Sequence, residues 1–220
     1  MKASTEERVP RHGMYRFAVA KRLLCYGASQ GPWLEVSSGA AEFGRILRDA
    51  GYTPTLVDLD QRNVARGVAA GLESYVANLE EGLPRFADAS FVGASALEIV
   101  EHVVEAEGLL GEIHRVLTPG GVLVLSTPNI AYWLDRIRAA VGLIPAAEGY
   151  HYRFFNEDAA QRLIREAGFE IVHCEMDAPL VGVNWWFRLV RRSGRRVHVT
   201  IRAPFGRLTG QTMYFVAKKA

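Results

Sequence analysis

Cysteine is scarce in this chain: Cys25 and Cys174 stand alone among 220 residues, 149 positions apart, with no metal-ligand spacing around them. A disulfide framework is excluded on that count, no metal is expected, and a reduced, cytoplasmic setting is the natural expectation. Apolar runs are short, so neither a transmembrane helix nor a secretory signal is expected. The longest stretch without acid is C-terminal. From Ala178 to Ala220 there is no Asp or Glu but nine Lys and Arg, leaving 17 basic against 24 acidic residues in the first 177. A net charge of +2 hides that asymmetry. The basic stretch either faces water and pairs with the acidic body or attracts an anionic partner. No nucleic-acid module accompanies it.

What is present suits one globular domain: 49% hydrophobic and 23% charged residues, with enough length for a sizeable core. We divide it into an N-terminal helical extension (1–31), a core (32–177) and a basic C-terminal part with the last strand (178–220). Met14 to Ala28 has helical apolar spacing. Trp33 to Val36 reads as a buried strand, followed by the small-residue turn Ser37-Ser38-Gly39-Ala40-Ala41 and a helix over 42–50 that Gly51 stops. Further strands are expected at 53–59, 74–77, 90–97 and 122–126. Helices are expected at 61–70 and 101–117, with a loop at 80–89. The unbroken aliphatic run at 122–126 suits a central strand covered on both faces.

Beyond Asn129, helices are expected at 131–141 and 157–167, the second capped by Asn156. A further helix is expected at 184–192, and strands at 169–173 and 212–217. Alternating strands and helices imply an α/β, doubly wound, mostly parallel seven-stranded sheet with helices on both faces. Ligands in such sheets sit outside the carboxyl ends of the strands. That edge gathers the turn after Val36, Asp58, Asn78 and the segment after Leu97.

The order of these pieces resembles the class I S-adenosylmethionine-dependent methyltransferases of the single-domain, small-molecule type. The residues that carry the resemblance are Leu34-Glu35-Val36-Ser37-Ser38-Gly39, Leu56-Val57-Asp58, Asn78 to Pro84, Ala96-Leu97-Glu98-Ile99-Val100-Glu101-His102, and Glu112 to Gly121. Arg153-Phe154-Phe155-Asn156 and Ala167-Gly168-Phe169 also fit. The resemblance implies a Rossmann-like fold and S-adenosylmethionine as methyl donor, with S-adenosylhomocysteine as product. It implies that Glu35, Ser37 and Gly39 shape the turn around the methionine part, that Asp58 and Leu59 meet the ribose end, and that Asn78 and Leu79 meet adenine. Leu97 to His102 would lie beneath the sulfonium. His102 and His151 are the candidate catalytic residues, and the acceptor is a small or lipid-like molecule. Trp133, Trp185 and Trp186 either line an acceptor pocket or pack in the core. Asn78 could equally serve as a turn former.

The chain departs from the family's pattern at Ser37 and Ala41, where glycine is usual, at Val92, where an acid is usual, and at Asn78, where aspartate is usual. Should Ser37 or Ala41 need positive φ, each carries strain of about 1–3 kcal/mol. Three readings stay open on sequence alone. One is methyl transfer; the second is a non-catalytic relative acting as a partner subunit or binding module. The third is a nicotinamide-dependent oxidoreductase, because Gly39-Ala40-Ala41-Glu42-Phe43-Gly44 imitates a dinucleotide fingerprint.

Overall fold

A computed structural model describes residues 11–26, 29–143, 151–179, 198–201 and 206–220. The helix expected at 184–192, with Trp185 and Trp186, lies outside them. The elements in order are α1 (Arg11–Leu23), β1 (Pro32–Val36), α2 (Glu42–Asp49), β2 (Thr53–Asp58), α3 (Gln61–Ala69), β3 (Glu73–Val76), β4 (Phe91–Leu97), α4 (Ala106–Val116), β5 (Leu117–Pro128), α5 (Trp133–Ala140), α6 (Glu157–Glu166), β6 (Phe169–Pro179), β7 (His198–Ile201) and β8 (Thr212–Lys219). A 3₁₀ turn spans Leu79–Glu81.

The strands form one sheet in the order β3-β2-β1-β4-β5-β8-β6-β7. The first five are parallel to one another, whereas β8 runs antiparallel to β5 and β6, and β6 antiparallel to β7. The α/β, doubly wound expectation holds, with a correction from seven strands to eight. The extra strand, β7, is a four-residue segment with three β-branched residues, Val199, Thr200 and Ile201, inside the basic stretch.

Alternation along the strands explains the layers. Leu123 and Leu125 of β5 join α4 and α6 on one face, while Val122 and Val124 meet α1 and α2 on the other. All four are 1% exposed or less, which is why the run reads as continuously apolar. At the centre, the Trp33 ring lies across β4, and its indole N–H donates to Ser95 Oγ at 3.2 Å. Gly93 leaves room for that ring: a Cβ there would sit 2.2 Å from Cζ3 of Trp33.

Two boundaries move. Helix α4 begins at Ala106, five residues later than the apolar spacing suggests, because 98–105 forms a turn at the end of β4. Glu98 has φ +55°, and the His102 amide closes onto the Ile99 carbonyl at 2.9 Å. Strand β6 runs on to Pro179, where it pairs with β7. Among the described residues no helix is long and apolar enough to cross a membrane.

Candidate functional site

The carboxyl ends of β1, β2, β4 and β5 meet at one edge, and the turn after β1 sets its shape. Ser37, Gly39 and Ala41 have φ of +58°, +53° and +62°. Two non-glycine residues therefore hold the left-handed conformation, each at about 1–3 kcal/mol. Their surroundings fix them there. The Ser38 amide donates to Val57 O at 3.2 Å, and the Ala41 amide to Ser38 O at 3.0 Å. Ala41, fully buried, packs with Leu56 and Leu72. Gly44 lets α2 lie close to the sheet, since a Cβ there would approach Glu35 Oε2 to 2.9 Å.

Asp58 ties this turn to β2. Its Oδ2 accepts from the Gly39 amide at 2.8 Å, and Oδ1 accepts from the Asp60 amide at 2.9 Å and from Asn63 Nδ2 at 3.2 Å. A carboxylate offers about four acceptor positions, so Asp58 keeps capacity for a ligand hydroxyl. Leu59, the next residue, is 69% exposed. Asn78 caps the 3₁₀ turn that Leu79 starts: its Oδ1 accepts from the Glu80 amide at 3.2 Å, while Nδ2 donates to Glu81 Oε1 at 2.8 Å. Asn78 thus forms the turn, with one lone pair of the amide oxygen to spare.

Acid gathers on the floor of the crevice. Burial, and secondarily Glu42, pushes the Glu35 carboxyl up to about 8. Its Oε2 and the neighbouring Ser38 Oγ are buried without a hydrogen-bond partner. Burial also raises Glu98, helped by the nearby Glu101, although Ser126 Oγ donates to Glu98 Oε1 at 2.8 Å. Glu101, 1% exposed, is raised by burial as well. Leu97, buried at the end of β4, leads into this turn.

Beyond Glu101 opens a small cleft, lined among others by Thr127, Ile130, Asp135, His151 and Phe154. Its far wall is the segment 151–155, pinned by the Tyr152 amide to Glu101 O at 2.9 Å. Arg153 adds hydrogen bonds to Glu107 Oε1 at 2.6 Å and Val104 O at 2.5 Å. The rings of His102 and His151 meet edge to face, with centroids 4.7 Å apart. The two histidines singled out in the sequence, 49 positions apart, come together. Trp133 packs edge-on against Tyr132, and its ring is half-buried.

Thr127 went unassigned in the sequence, and Glu98 and Glu101 entered only as members of the segment Leu97 to His102, with no role of their own. The signal was present in Glu98-Ile99-Val100-Glu101-His102, but the helical spacing of Val103, Val104, Leu109 and Leu110 drew Glu101 into a helix it does not belong to.

The buried acids and left-handed turn fit the implied methyl donor. A cationic sulfonium and ammonium would favour the ionised form of carboxyls that burial otherwise keeps protonated, and the turn already has the backbone shape that glycines would give.

Comparison with known proteins agrees. A protein of Mycolicibacterium smegmatis named "probable S-adenosylmethionine-dependent methyltransferase" is 28% identical over 158 residues, covering 71% of this chain and 58% of that protein. The ubiquinone biosynthesis O-methyltransferase of Idiomarina loihiensis is 29% identical over 147 residues, covering 62% of this chain and 60% of that protein. The chain thus spans about three-fifths of the length of these curated relatives. A SAM-dependent methyltransferase from Archaeoglobus fulgidus shares the fold, with a TM-score of 0.69 at 16% identity over 94% of both chains. The methyltransferase domain family matches residues 11–174, most of the sequence, and the chain belongs to that family.

Proposed function

We propose that this protein transfers a methyl group from S-adenosylmethionine to a small or lipid-like acceptor seated in the cleft beside Glu101. The observation that carries this reading is the left-handed turn Ser37–Ala41, whose Gly39 amide is bonded to Asp58 at the edge where β1, β2 and β4 end. When bound, S-adenosylmethionine supplies a methyl group already activated by its sulfonium.

The protein's share is placement. Asp58 takes a ribose hydroxyl through its remaining lone pair, and Leu59 covers the ring beside it. Asn78 Oδ1 and the Leu79 backbone meet the adenine edge. Glu35, below the turn, holds its shape, while the amides at the start of α2 favour a carboxylate. Glu98 and Glu101 stabilise the positive charge above them. Orientation and exclusion of water supply most of the acceleration in a displacement of this type. In this reading His151, in ring contact with His102, takes a proton from an acceptor hydroxyl or amine, and Ile130 and Phe154 offer apolar surface for the acceptor's body.

The alternative of a non-catalytic relative rests on the strain and added Cβ atoms of Ser37 and Ala41, with Val92 and Asn78 as further departures. The turn holds positive φ at both residues, so its backbone shape is formed despite them, which supports methyl transfer over that alternative. Family membership removes the nicotinamide reading. Thermal melting tests the proposal: a ligand that binds only the folded state raises Tm. S-adenosylmethionine and S-adenosylhomocysteine should raise it and NAD should not. Replacing Asp58 with alanine should abolish the response; a response to NAD alone would overturn the proposal.

A further inference from the structure

We propose that Glu101, His102 and His151 form a site for one borderline first-row divalent cation, zinc or a near neighbour, at the floor of the acceptor cleft. One donor atom from each of the three residues lies within 4.8 Å of the other two. Glu101 sits on the turn after β4, His102 follows it, and His151 arrives from the segment pinned back onto the Glu101 carbonyl. No sequence spacing announces such a set. The fold assembles it.

Two details single out a cation over a merely polar corner. The first is the Glu101 carboxyl itself. Thr127 Oγ1 donates to Oε2 at 3.1 Å, which fixes the group, while Oε1 is buried without a hydrogen-bond partner. A buried acceptor left so is destabilising by about 1–3 kcal/mol. Protonation alone would only exchange an unpaired acceptor for an unpaired donor, whereas a bound cation satisfies it. The second is the donor chemistry. Two imidazole nitrogens and one carboxylate oxygen suit zinc, cobalt, nickel or manganese; magnesium and calcium prefer all-oxygen shells.

Tetrahedral zinc with bonds of roughly 2.0–2.1 Å sets its donors roughly 3.3 Å apart. From 4.8 Å, the three atoms must therefore close by roughly 1.5 Å at most for zinc to bind. Thr127 then acts as the outer partner that holds the carboxylate in place. Three protein ligands leave a coordination position open toward the cleft, the pattern of a catalytic rather than a structural site.

The role of the cation rests on the methyl-transfer reading; the cation site itself does not. With the cation bound, His151 is a ligand instead of a base and Glu98 alone faces the sulfonium, and an acceptor oxygen entering the open position would lose its proton to bulk water more readily. That oxygen then forms the new O–C bond, while the C–S bond breaks with its electron pair going to sulfur, leaving S-adenosylhomocysteine. An oxygen-bearing acceptor is the class this site selects.

The test uses the untagged full chain, stripped with chelator and titrated calorimetrically with zinc alone, without cofactor or acceptor. One equivalent should bind. Cobalt in its place should give visible d–d absorption. His151→Ala and Glu101→Gln should each weaken zinc binding by about tenfold or more, and His151→Ala should abolish the cobalt bands. His114→Ala, on α4 where the ring packs against Phe169, should change neither. Because Glu101 is buried and its variant could fail to fold, the half-buried His151 carries the decision, with circular dichroism confirming the fold. Absence of stoichiometric zinc, or equal binding by His151→Ala, overturns the site. A separate titration with S-adenosylmethionine keeps the readings apart: zinc bound without any cofactor binding sinks methyl transfer and leaves the cation site standing.

Discussion

Thr127 donates a 3.1 Å hydrogen bond to Glu101 across the ends of two neighbouring strands, and both side chains are buried. That bond aims a carboxyl of raised pKa at the acceptor cleft. Replacing Thr127 with valine keeps the shape and removes the donor. The expected outcome is a loss of about 1–3 kcal/mol in urea unfolding, with Glu101 raised further. An unchanged midpoint and slope would show that the bond contributes nothing.

The turn at Ser37 and Ala41 gives a second prediction. Both residues hold positive φ in a turn pinned by its own hydrogen bonds to Val57, Ser38 and Asp58, so their strain belongs to the folded state and largely cancels from cofactor binding. Ser37→Gly and Ala41→Gly should each stabilise the protein by about 1 kcal/mol, read by chemical denaturation. Cofactor affinity should move by less than that. A large gain in affinity at constant stability would mean that the turn reshapes on binding.

A third concerns Gly93, over which the Trp33 ring lies. An added Cβ would sit 2.2 Å from one ring carbon and 2.4 Å from the next. Gly93→Ala should destabilise by about 3 kcal/mol, at the upper end for overpacking a filled core. A loss under ~1 kcal/mol would mean that the ring has room to shift.

Burial also makes stability depend on pH. The Glu35 carboxyl is pushed up to about 8 from 4.5. Between those values the folded state keeps a proton that the unfolded state has released. Its contribution to stability is therefore complete below about 4.5 and is lost as pH rises through about 8. Urea midpoints should fall between pH 5 and pH 9, and Glu35→Gln should flatten that decline. An identical slope in the variant would remove Glu35 as the cause.

The layers were legible because their signals are local. Gly51, Gly71 and Gly168 end helices with φ of +91°, +72° and +90°, and Asn156 Oδ1 caps α6 by accepting from the Ala159 amide at 2.8 Å. The aliphatic run of β5 could only suit a strand covered on both faces. The turn from Glu98 to Glu105 was not legible. Its Val100 and Val103 are buried like helix residues, and spacing alone cannot tell a packed turn from a first helical turn. Strand β7 was hidden among arginines, since its pairing with β6 is a long-range property. The meeting of His102 with His151 was illegible for the same reason: 49 residues separate them, and only the return of the chain to Glu101 joins them.

The most direct test of the central claim is a calorimetric titration of the unmodified protein with S-adenosylmethionine. The account predicts saturable binding of one equivalent, competed by S-adenosylhomocysteine and lost in Asp58→Ala. Silence at millimolar cofactor, from protein shown to be folded, would contradict it.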